Sequence, residues 1–348
     1  MKRVARIGLD LAKNIFQVHG VNREEKVVFS KRIKRDGLLE FFANLDREDD
    51  CIIGMESCCG SDHWARELIK MGYIAKIMNP RFVKPYRKSV KNDKQDAEAI
   101  CEAVGRPTMH FVPIKTLEQQ DMILIHRQRE QLMRRRTAQS NQVRGLLMNY
   151  GIVIPQGYSQ LGKHIAVILE NKSKLLTVIA RQVIYDMYEE IVHLALKIDE
   201  LDKKLKALAE SRKDCQRLMT IPGVGYMTAS AIIAWFGDGS QFKCARDAAT
   251  YVGLVPNQHS SGNTIRLGRI SKRGNRYLRT LLVLGAHADL RLAEHRQKSG
   301  VIVSRDEWSL GIKGRRHICI AAVALAAKNL RTAWALLRDE SDYLAKAA

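Results

Sequence analysis

The sequence lacks several features that define well-known classes of protein. Its seven cysteines include no Cys-x-x-Cys pair, and their odd number and irregular spacing indicate neither a zinc site nor a disulfide framework. No Gly-x-Ser-x-Gly segment occurs, which excludes an esterase of the α/β-hydrolase type. Low-complexity segments and solenoid repeats are also missing. These absences leave a globular chain with free thiols, as expected in a reducing cytoplasm.

Long apolar runs are absent as well. The N-terminus passes from Met-Lys-Arg directly into a strand-like segment, so no secretory signal is predicted. The longest apolar runs, such as 318–327, are shorter than the roughly 20 residues that span a bilayer. We therefore expect a soluble, cytoplasmic protein without membrane contact. Its 348 residues, 46% of them hydrophobic, suffice for two or three domains.

Acidic residues are scarce relative to basic ones. Lys and Arg number 58 against 37 Asp and Glu, which leaves a net charge of +21. A surplus of this size lies mostly on the surface, where it attracts polyanions and releases counterions from a nucleic-acid backbone. An anionic membrane is a weaker alternative, because no helix combines a basic face with a wide apolar, aromatic face. The expected partner is a nucleic acid.

The first third of the chain alternates strands and helices. Apolar segments predict strands at 3–9, 14–21, 25–33, 51–55 and 73–78. Helices are predicted between and after them, at 37–46, 61–71 and 93–104. Three consecutive strands followed by alternating helix and strand is the order of an RNase H-like, or RuvC-like, α/β domain with a mixed sheet. We assign this domain to residues 1–112.

The middle of the chain, residues 113–212, is predicted to be a helical, coiled-coil-like connector. Basic residues concentrate in its first part, where Arg134 and Arg135 are candidate contacts to nucleic acid. From Met187 to Leu208, apolar residues recur at alternating spacings of four and three, which is the a/d seam of a coiled coil. Such a seam packs either against a partner chain or within the monomer as a helical hairpin.

Residues 213–348 are predicted to form a mostly helical C-terminal domain. Its helices are expected at 226–236, 243–253, 274–293 and 316–338. The turn Thr220-Ile221-Pro222-Gly223-Val224-Gly225 looks like a helix-hairpin-helix element. Gly223 and Gly225 would let a phosphate approach the backbone and the free N–H groups of the next helix. A plain turn between two helices is the alternative, since two glycines at this spacing are weakly specific.

Four carboxylates follow or begin predicted elements. Asp10 and Glu56 end the first and fourth strands, and Asp93 and Asp96 share one face of a helix start. The first and fourth strands of an RNase H-like sheet are neighbours, so their acids would meet. Such oxygen ligands suit Mg²⁺, and a pair of these ions can stabilise both oxygens of an in-line phosphoryl displacement. Taken singly, Asp93 could be an N-cap and Asp10 a turn residue.

A pair of serines precedes Gly262 in a basic region. Ser260 and Ser261 could simply belong to a turn, but cations near them could bind a scissile phosphate and stabilise the charge that builds up during phosphoryl transfer. His259 is close enough in sequence to be considered as a base. The cations predicted to contact nucleic acid here are Arg266, Arg269, Lys272, Arg273, Arg276 and Arg279.

Taken together, these motifs resemble the IS110 family of transposases over nearly the whole chain. The N-terminal segments are Gly-Leu-Asp-Leu-Ala-Lys, Met-Glu-Ser and Asn-Asp-Lys-Gln-Asp-Ala; the C-terminal ones are Ile-Pro-Gly-Val-Gly, Ser-Ser-Gly and Ile-Ser-Lys-Arg-Gly-Asn. The resemblance implies that the family's DEDD tetrad corresponds to Asp10, Glu56, Asp93 and Asp96. After the glutamate, Ser-Cys stands where the family more often has Thr-Gly.

The resemblance also implies a reaction and its partners. The family is thought to use a serine nucleophile that forms a covalent phosphoserine–DNA link, assisted by Mg²⁺ at the DEDD carboxylates. Ser261, directly before Gly262, is the expected nucleophile, with Ser260 as the fallback. A structured guide RNA from the noncoding end of the element would pair with donor and target DNA. Homodimers, and tetramers during strand exchange, are implied, and the a/d seam offers a place for subunit contact.

Two other functions fit parts of the sequence. A hydrolytic nuclease of the RuvC type, such as a Holliday-junction resolvase, would use the carboxylates without the serine. A non-catalytic DNA-binding protein would use only the turn and the basic helices. A DDE transposase fits less well, because the Asp93/Asp96 pair is close in sequence and Glu56 comes early.

Overall fold

The computed structural model describes residues 3–88, 92–170, 175–262, 264–300 and 304–344. The chain divides into two compact units, residues 1–116 and 117–348. The first combines a mixed sheet with helices and the second is mostly helical, which confirms the predicted α/β and helical classes of the two parts. The predicted boundaries at 112 and 212 stay predictions.

The first unit is built on a six-stranded sheet in the order β3-β2-β1-β4-β5-β6. The strands are β1 Val4–Asp10, β2 Ile15–Val21, β3 Val27–Lys34, β4 Arg47–Glu56, β5 Ile74–Met78 and β6 Phe111–Val112. β1 pairs antiparallel with β2 and parallel with β4, and β5 continues the parallel part. The first five strands therefore follow the predicted order, although β4 begins four residues earlier than predicted, and β6 was not predicted.

Helices cover both faces of this sheet. They are α1 Leu38–Ala43, α2 Ser61–Lys70, α3 Pro80–Val83 and α4 Asp93–Val104. Alternate residues of the strands, such as Ile7, Leu9 and Ile53, form one core with Trp64 and Leu68 of α2. On the opposite face α4 contributes Ile100 and its neighbours to a second, smaller core. The sheet is thus fixed between two layers of helix.

The second unit begins with two long helices. They are α5 Leu117–Met148 and α7 Val178–Ser211, with α6 Tyr158–Glu170 between them in sequence. Leu194, Ile198 and Leu201 of the a/d seam are buried with Leu132 of α5. The seam therefore packs within the chain as a helical hairpin. Its expected use as a place for subunit contact is wrong for these residues, because their side chains already have partners.

The rest of the second unit is a helical core. Its helices are α8 Lys213–Met219, α9 Tyr226–Phe236, α10 Ala245–Tyr251, α11 Arg276–Lys298, α12 Ser304–Arg315 and α13 Ile318–Asp339. Two short strands, β7 Pro256–Gln258 and β8 Leu267–Ile270, form a separate hairpin. Neither this hairpin nor α12 was predicted. α9 lies at the centre, with every residue from Thr228 to Phe236 buried.

Helix α13 is the one helix in the described ranges that is long and apolar enough to cross a membrane by length and composition. Half of its most apolar window is buried inside the protein. The buried side chains, which include Ala322, Leu325 and Leu330, belong to the same core as Leu282 and Leu290 of α11. This packing is that of a core helix.

Candidate active site

The two strand-end carboxylates come together at one edge of the sheet. β1 and β4 run parallel, and Leu9 lies opposite Met55 in their register. Asp10 and Glu56 follow these residues directly, so they lie side by side where both strands end. The prediction that the first and fourth strands are neighbours is confirmed.

Two glycines let α4 approach these strands closely. Gly8 and Gly54 are paired in the β1–β4 register. A Cβ atom on Gly8 would lie 2.0 Å from the carbonyl oxygen of Ala97, and one on Gly54 would lie 2.6 Å from Cβ of Val104. Any larger residue would push α4 away from the sheet. Sequence reasoning missed both residues, although glycine inside an apolar strand is a signal of close backbone approach.

The start of α4 carries the other two predicted carboxylates. The side chain of Asn92 caps the helix, accepting a hydrogen bond from the backbone N–H of Gln95 at 2.9 Å. The interpretation of Asp93 as the N-cap is therefore wrong. Asp93 is exposed and lies 3.7 Å from Arg32, whereas Asp96 is largely buried and pairs with Arg87 at 2.5 Å between Oδ1 and Nε.

The charges at this edge act on one another. Burial, and then the negative charges of Asp96, Asp93 and Glu56, raise the pKa of Asp10 to about 6, while Arg87 lowers it. The four predicted carboxylates thus share one electrostatic environment, which we call the carboxylate site. Burial and the charge of Asp10 also raise the pKa of the nearby Cys58 thiol.

The carboxylate site is not a closed ligand cage. Across the described ranges, no group of three or more His, Cys, Asp or Glu side chains is arranged so that it could hold a metal ion. Mg²⁺ needs only one or two carboxylates, with water and substrate phosphate completing its octahedron. The donor set and the crowding around Asp10 fit such an ion if Arg87 releases Asp96. Sequence reasoning missed Arg87, which no motif distinguished from the many other arginines.

The predicted serines lie on the hairpin formed by β7 and β8, which we call the serine hairpin (residues 256–270). The hydroxyl of Ser260 accepts hydrogen bonds from the backbone N–H of Arg266 at 3.2 Å and from the side chain of Gln258 at 3.1 Å. Ser261 pairs with Thr264 only through the backbone. Its exposed hydroxyl makes no hydrogen bond to any residue that the structure describes. Ser260 therefore shapes the turn, and Ser261 presents an exposed hydroxyl that no described residue engages.

The base of the serine hairpin is fixed by backbone contacts. Gly253 and Gly274 have positive φ angles of 72° and 74°, and a Cβ atom on Gly274 would lie 1.8 Å from the carbonyl oxygen of Tyr251. The guanidinium of Arg279 donates to the carbonyl oxygens of Val252 and Arg273, at 2.6 and 3.0 Å. Arg279, predicted to contact nucleic acid, thus closes the base of the hairpin.

The stretch of sequence that carries the serine hairpin has charges of one sign only. No Asp or Glu occurs between Asp247 and Asp289, whereas this stretch contains the six predicted cations. Among the described residues, none of the six forms an ion pair, and all except Arg279 are exposed. Uncompensated surface cations of this density attract a polyanion.

The remaining predicted contacts differ in their surroundings. A Cβ atom on Gly223 would lie 2.7 Å from the carbonyl oxygen of Gly285, so this glycine is needed for packing against α11. Gly225 faces open space at the start of α9. Arg134 and Arg135 are exposed on α5, and each is within ion-pair distance of a glutamate. Of these residues, Gly225 and the two arginines remain accessible from outside.

Comparison with known proteins adds a second line of argument. The family described as "Transposase IS116/IS110/IS902 family" matches residues 215–301, and a DEDD family of IS110, described as "Transposase", matches residues 7–152. A probable family 20 transposase of Pseudomonas aeruginosa is 41% identical, over 98% of both chains. The transposase for insertion sequence element IS1111A of Coxiella burnetii is 40% identical, over 99% of this chain and 92% of its own.

This chain belongs to the IS110 family of transposases. The protein therefore functions in DNA transposition and recombination, as the sequence motifs indicate. The two family matches divide the predicted site residues between them. The N-terminal match contains Asp10, Glu56, Asp93 and Asp96, and the C-terminal match contains the serine hairpin with its cations.

A more distant relative of this IS110 transposase has a name that describes a rearrangement. The pilin gene-inverting protein of Moraxella bovis is 26% identical over 64% of this chain and 61% of its own.

Proposed function

We propose that this transposase cuts and rejoins DNA with Ser261 as its nucleophile. The observation that carries the proposal is the serine hairpin itself. An exposed serine hydroxyl without a hydrogen-bond partner among the described residues lies in a stretch that has six uncompensated cations and no acid. Such cations bind a phosphodiester and stabilise the charge that develops on it during attack. Ser260 is a poorer candidate because its hydroxyl is engaged in the turn.

The chemistry is a pair of transesterifications. The Ser261 hydroxyl loses its proton, and its Oγ forms a bond to phosphorus while the bond from phosphorus to one deoxyribose oxygen breaks. That oxygen takes up a proton and leaves as a hydroxyl, so the strand end is held as a phosphoserine. Attack on this phosphoserine by the hydroxyl of another strand end reverses the step and releases the serine. No net hydrolysis occurs, because the phosphoester energy is kept in the covalent link.

We further propose that the N-terminal unit is RuvC-like and that Asp10, Glu56, Asp93 and Asp96 would hold Mg²⁺. A divalent ion bound there would supply electrostatic stabilisation of a phosphoryl transition state. The protein's own contribution is burial and then the crowding of carboxylates, which together raise the pKa of Asp10 to about 6. Crowded carboxylates repel one another, and a bound cation relieves that repulsion.

The proposed partners are donor and target DNA and a structured guide RNA. Cations that read backbone rather than sequence suit a system in which base pairing chooses the site. The exposed Arg134 and Arg135 extend the basic surface onto α5, and Gly225 leaves the start of α9 open as in a helix-hairpin-helix turn. The inverting activity in the name of the Moraxella relative favours site-specific recombination. We propose a cytoplasmic protein, without a membrane partner, that acts as a homodimer or tetramer.

A search for a covalent protein–DNA adduct tests this proposal. The protein is expressed with its native flanking DNA and supplied with Mg²⁺. After denaturation, the samples are examined for DNA that stays attached to protein until protease is added. We expect an adduct for wild type and for Ser260→Ala, and none for Ser261→Ala or Asp10→Ala. Cleavage without an adduct that survives Ser261→Ala would replace the proposal by a hydrolytic nuclease. DNA binding without cleavage in wild type would reduce the protein to a DNA-binding one.

A further inference from the structure

The serine hairpin exposes two large apolar side chains next to the serine pair. Ile265 is 75% exposed and Leu267 is 65% exposed, and neither belongs to a core cluster of the second unit. Single exposed apolar residues are common on protein surfaces and need no explanation. Here two of them lie together beside a proposed nucleophile, on a ribbon with few other apolar groups.

Exposure and strand pairing place Leu267 relative to the serine turn. Ile270 at the end of β8 packs against the helical core of the second unit. The register of the two strands shifts between Leu267 and Ile270, so alternation along β8 is interrupted there, and exposure shows the difference: Leu267 is 65% exposed and Arg269 is exposed. Leu267 is also directly opposite Gln258, whose side chain donates to Ser260. Leu267 therefore lies beside the serine turn on the exposed part of the hairpin, where Arg269 is exposed as well.

The charge of the region indicates which kind of partner binds the exposed part of the hairpin. A protein surface would bring acids to the six cations, but it would not explain a stretch from 248 to 288 without any acid of its own. DNA combines phosphates on the outside with apolar base faces inside. Proteins that bend DNA use this combination, contacting phosphates with cations while an apolar side chain enters between base pairs and unstacks them.

We propose that Ile265 and Leu267 enter the DNA and unstack a base step beside the phosphate attacked by Ser261. This inference rests on the proposed function, because it takes DNA as the substrate of the serine hairpin. The backbone pairing of Ser261 with Thr264, the residue before Ile265, keeps the nucleophile and the apolar pair in one small structure. Unstacking kinks the duplex at that step and thereby changes the path of the backbone that carries the phosphate. The apolar pair is thus a positioning device for the scissile phosphate.

Permanganate, which oxidises unstacked thymines, tests the proposal without requiring cleavage. The full-length protein is bound, in EDTA, to duplexes tiled across the DNA that flanks its coding sequence, with RNA transcribed from the same flank. We expect reactive thymines with wild type and about tenfold less reactivity with Ile265→Ser/Leu267→Ser. Ile265→Met/Leu267→Met should retain the reactivity, since methionine is also an apolar wedge. Leu196→Ser, at a 60% exposed leucine on α7, is the matched control and should behave like wild type.

The outcomes separate this inference from the proposed function. The wedge would be overturned if bound wild-type protein gave no reactive thymines, or if Ile265→Ser/Leu267→Ser gave as many as wild type. An adduct through Ser261 would still support that serine as the nucleophile. A double variant that loses self-association but keeps its DNA reactivity would assign the apolar pair to a subunit contact instead. If Ile265→Ser/Leu267→Ser alone loses the reactive thymines, the wedge is supported. If in addition no protein forms an adduct, the assignment of Ser261 as nucleophile is overturned while the wedge stands.

Discussion

Asp10 and Glu56 lie at the edge of a sheet packed between helices, whereas Ser261 lies on a two-stranded hairpin whose side chains are mostly exposed. The carboxylate site gathers negative charge around a partly buried acid, and the serine hairpin gathers positive charge in a stretch of sequence without acids. We propose a cation as the partner of the first region and a polyanion as the partner of the second. The proposed phosphoryl transfer to Ser261 would use both kinds of charge, which the chain keeps in separate units.

The two regions are nevertheless positioned by the same device. At each, a glycine allows backbone to touch backbone: Gly8 under α4 for the carboxylates, and Gly274 against Tyr251 for the hairpin. Such contacts have no flexible side chain that could give way. Functional groups that differ in burial and charge are therefore held with similar rigidity at their base.

The largest expected effects come from filling these contacts. Gly8→Ala and Gly274→Ala each place a methyl group against a carbonyl oxygen, and the second also strains a positive φ angle. We expect each to lower the free energy of unfolding by about 3 kcal/mol and to abolish adduct formation. Chemical denaturation measures the stability. Gly37→Ala, at a glycine facing open space, is the control and should change stability by less than about 0.5 kcal/mol.

Asp10→Asn should have opposite effects on folding and on metal binding. The folded-state pKa of Asp10, about 6, lies above its ordinary value of 3.8, so ionising it destabilises the metal-free protein as pH rises from about 4 to 6. Allowing for screening of a partly exposed group, Asn should stabilise the metal-free protein by on the order of 1 kcal/mol at pH 8 and by almost nothing at pH 4. Thermal melts in EDTA measure this difference. Added Mg²⁺ should stabilise wild type only, and equal stabilisation of the variant would contradict the site.

Arg87→Gln should sharpen the contrast by leaving the carboxylate site more negative. Arg87 pairs with Asp96 and lowers the pKa of Asp10, so it competes with a metal ion for the same charge. We expect Mg²⁺ to bind several-fold more tightly in the variant above pH 7, when Asp10 is ionised. Calorimetric titration with Mg²⁺ measures the affinity. Arg106→Gln, at an arginine paired with Glu102 at the far end of α4, should leave it unchanged.

The smallest effect concerns the cations of the serine hairpin. Arg266→Gln and Arg269→Gln should each reduce the slope of log affinity against log salt by about 1, because each removes one phosphate contact. Fluorescence anisotropy with a short duplex at several salt concentrations measures the slope. Arg279→Gln should instead lower stability, since its guanidinium holds two carbonyl oxygens at the hairpin base. An unchanged slope for the first two variants would remove these arginines from the DNA interface.

Most of the fold of the first unit can be predicted from the sequence, because the patterns that indicate its strands and acids are local. Apolar strands that end in acids are visible as short patterns, and one adjacency rule brings Asp10 beside Glu56. The early start of β4 was missed because its first residues, Arg47 to Asp50, are polar residues at the less buried end of the strand. The role of Arg87 is set by tertiary contact with Asp96, and one arginine among many leaves no pattern.

In the second unit, the sequence pattern does not suffice to predict which partner a helix packs against or where short strands lie. The a/d seam was read correctly as helix-packing surface, but its spacing is the same whether the partner is α5 or another chain. The short strands of the serine hairpin have only three and four residues, and their Pro, Asn, Gly and Arg give little strand signal. The distinction between Ser260 and Ser261 depends on a hydrogen bond from Arg266, six residues away from Ser260.

Mass spectrometry of the adduct is the most direct test of the central claim. The DNA-linked protein is digested with protease and nuclease, and the peptide that retains a nucleotide is sequenced. We predict that the nucleotide is attached to Oγ of Ser261 through a phosphodiester. Attachment to a tyrosine, or to Ser260, would contradict the assignment. Cleaved DNA with no nucleotide on any peptide would contradict the covalent mechanism altogether.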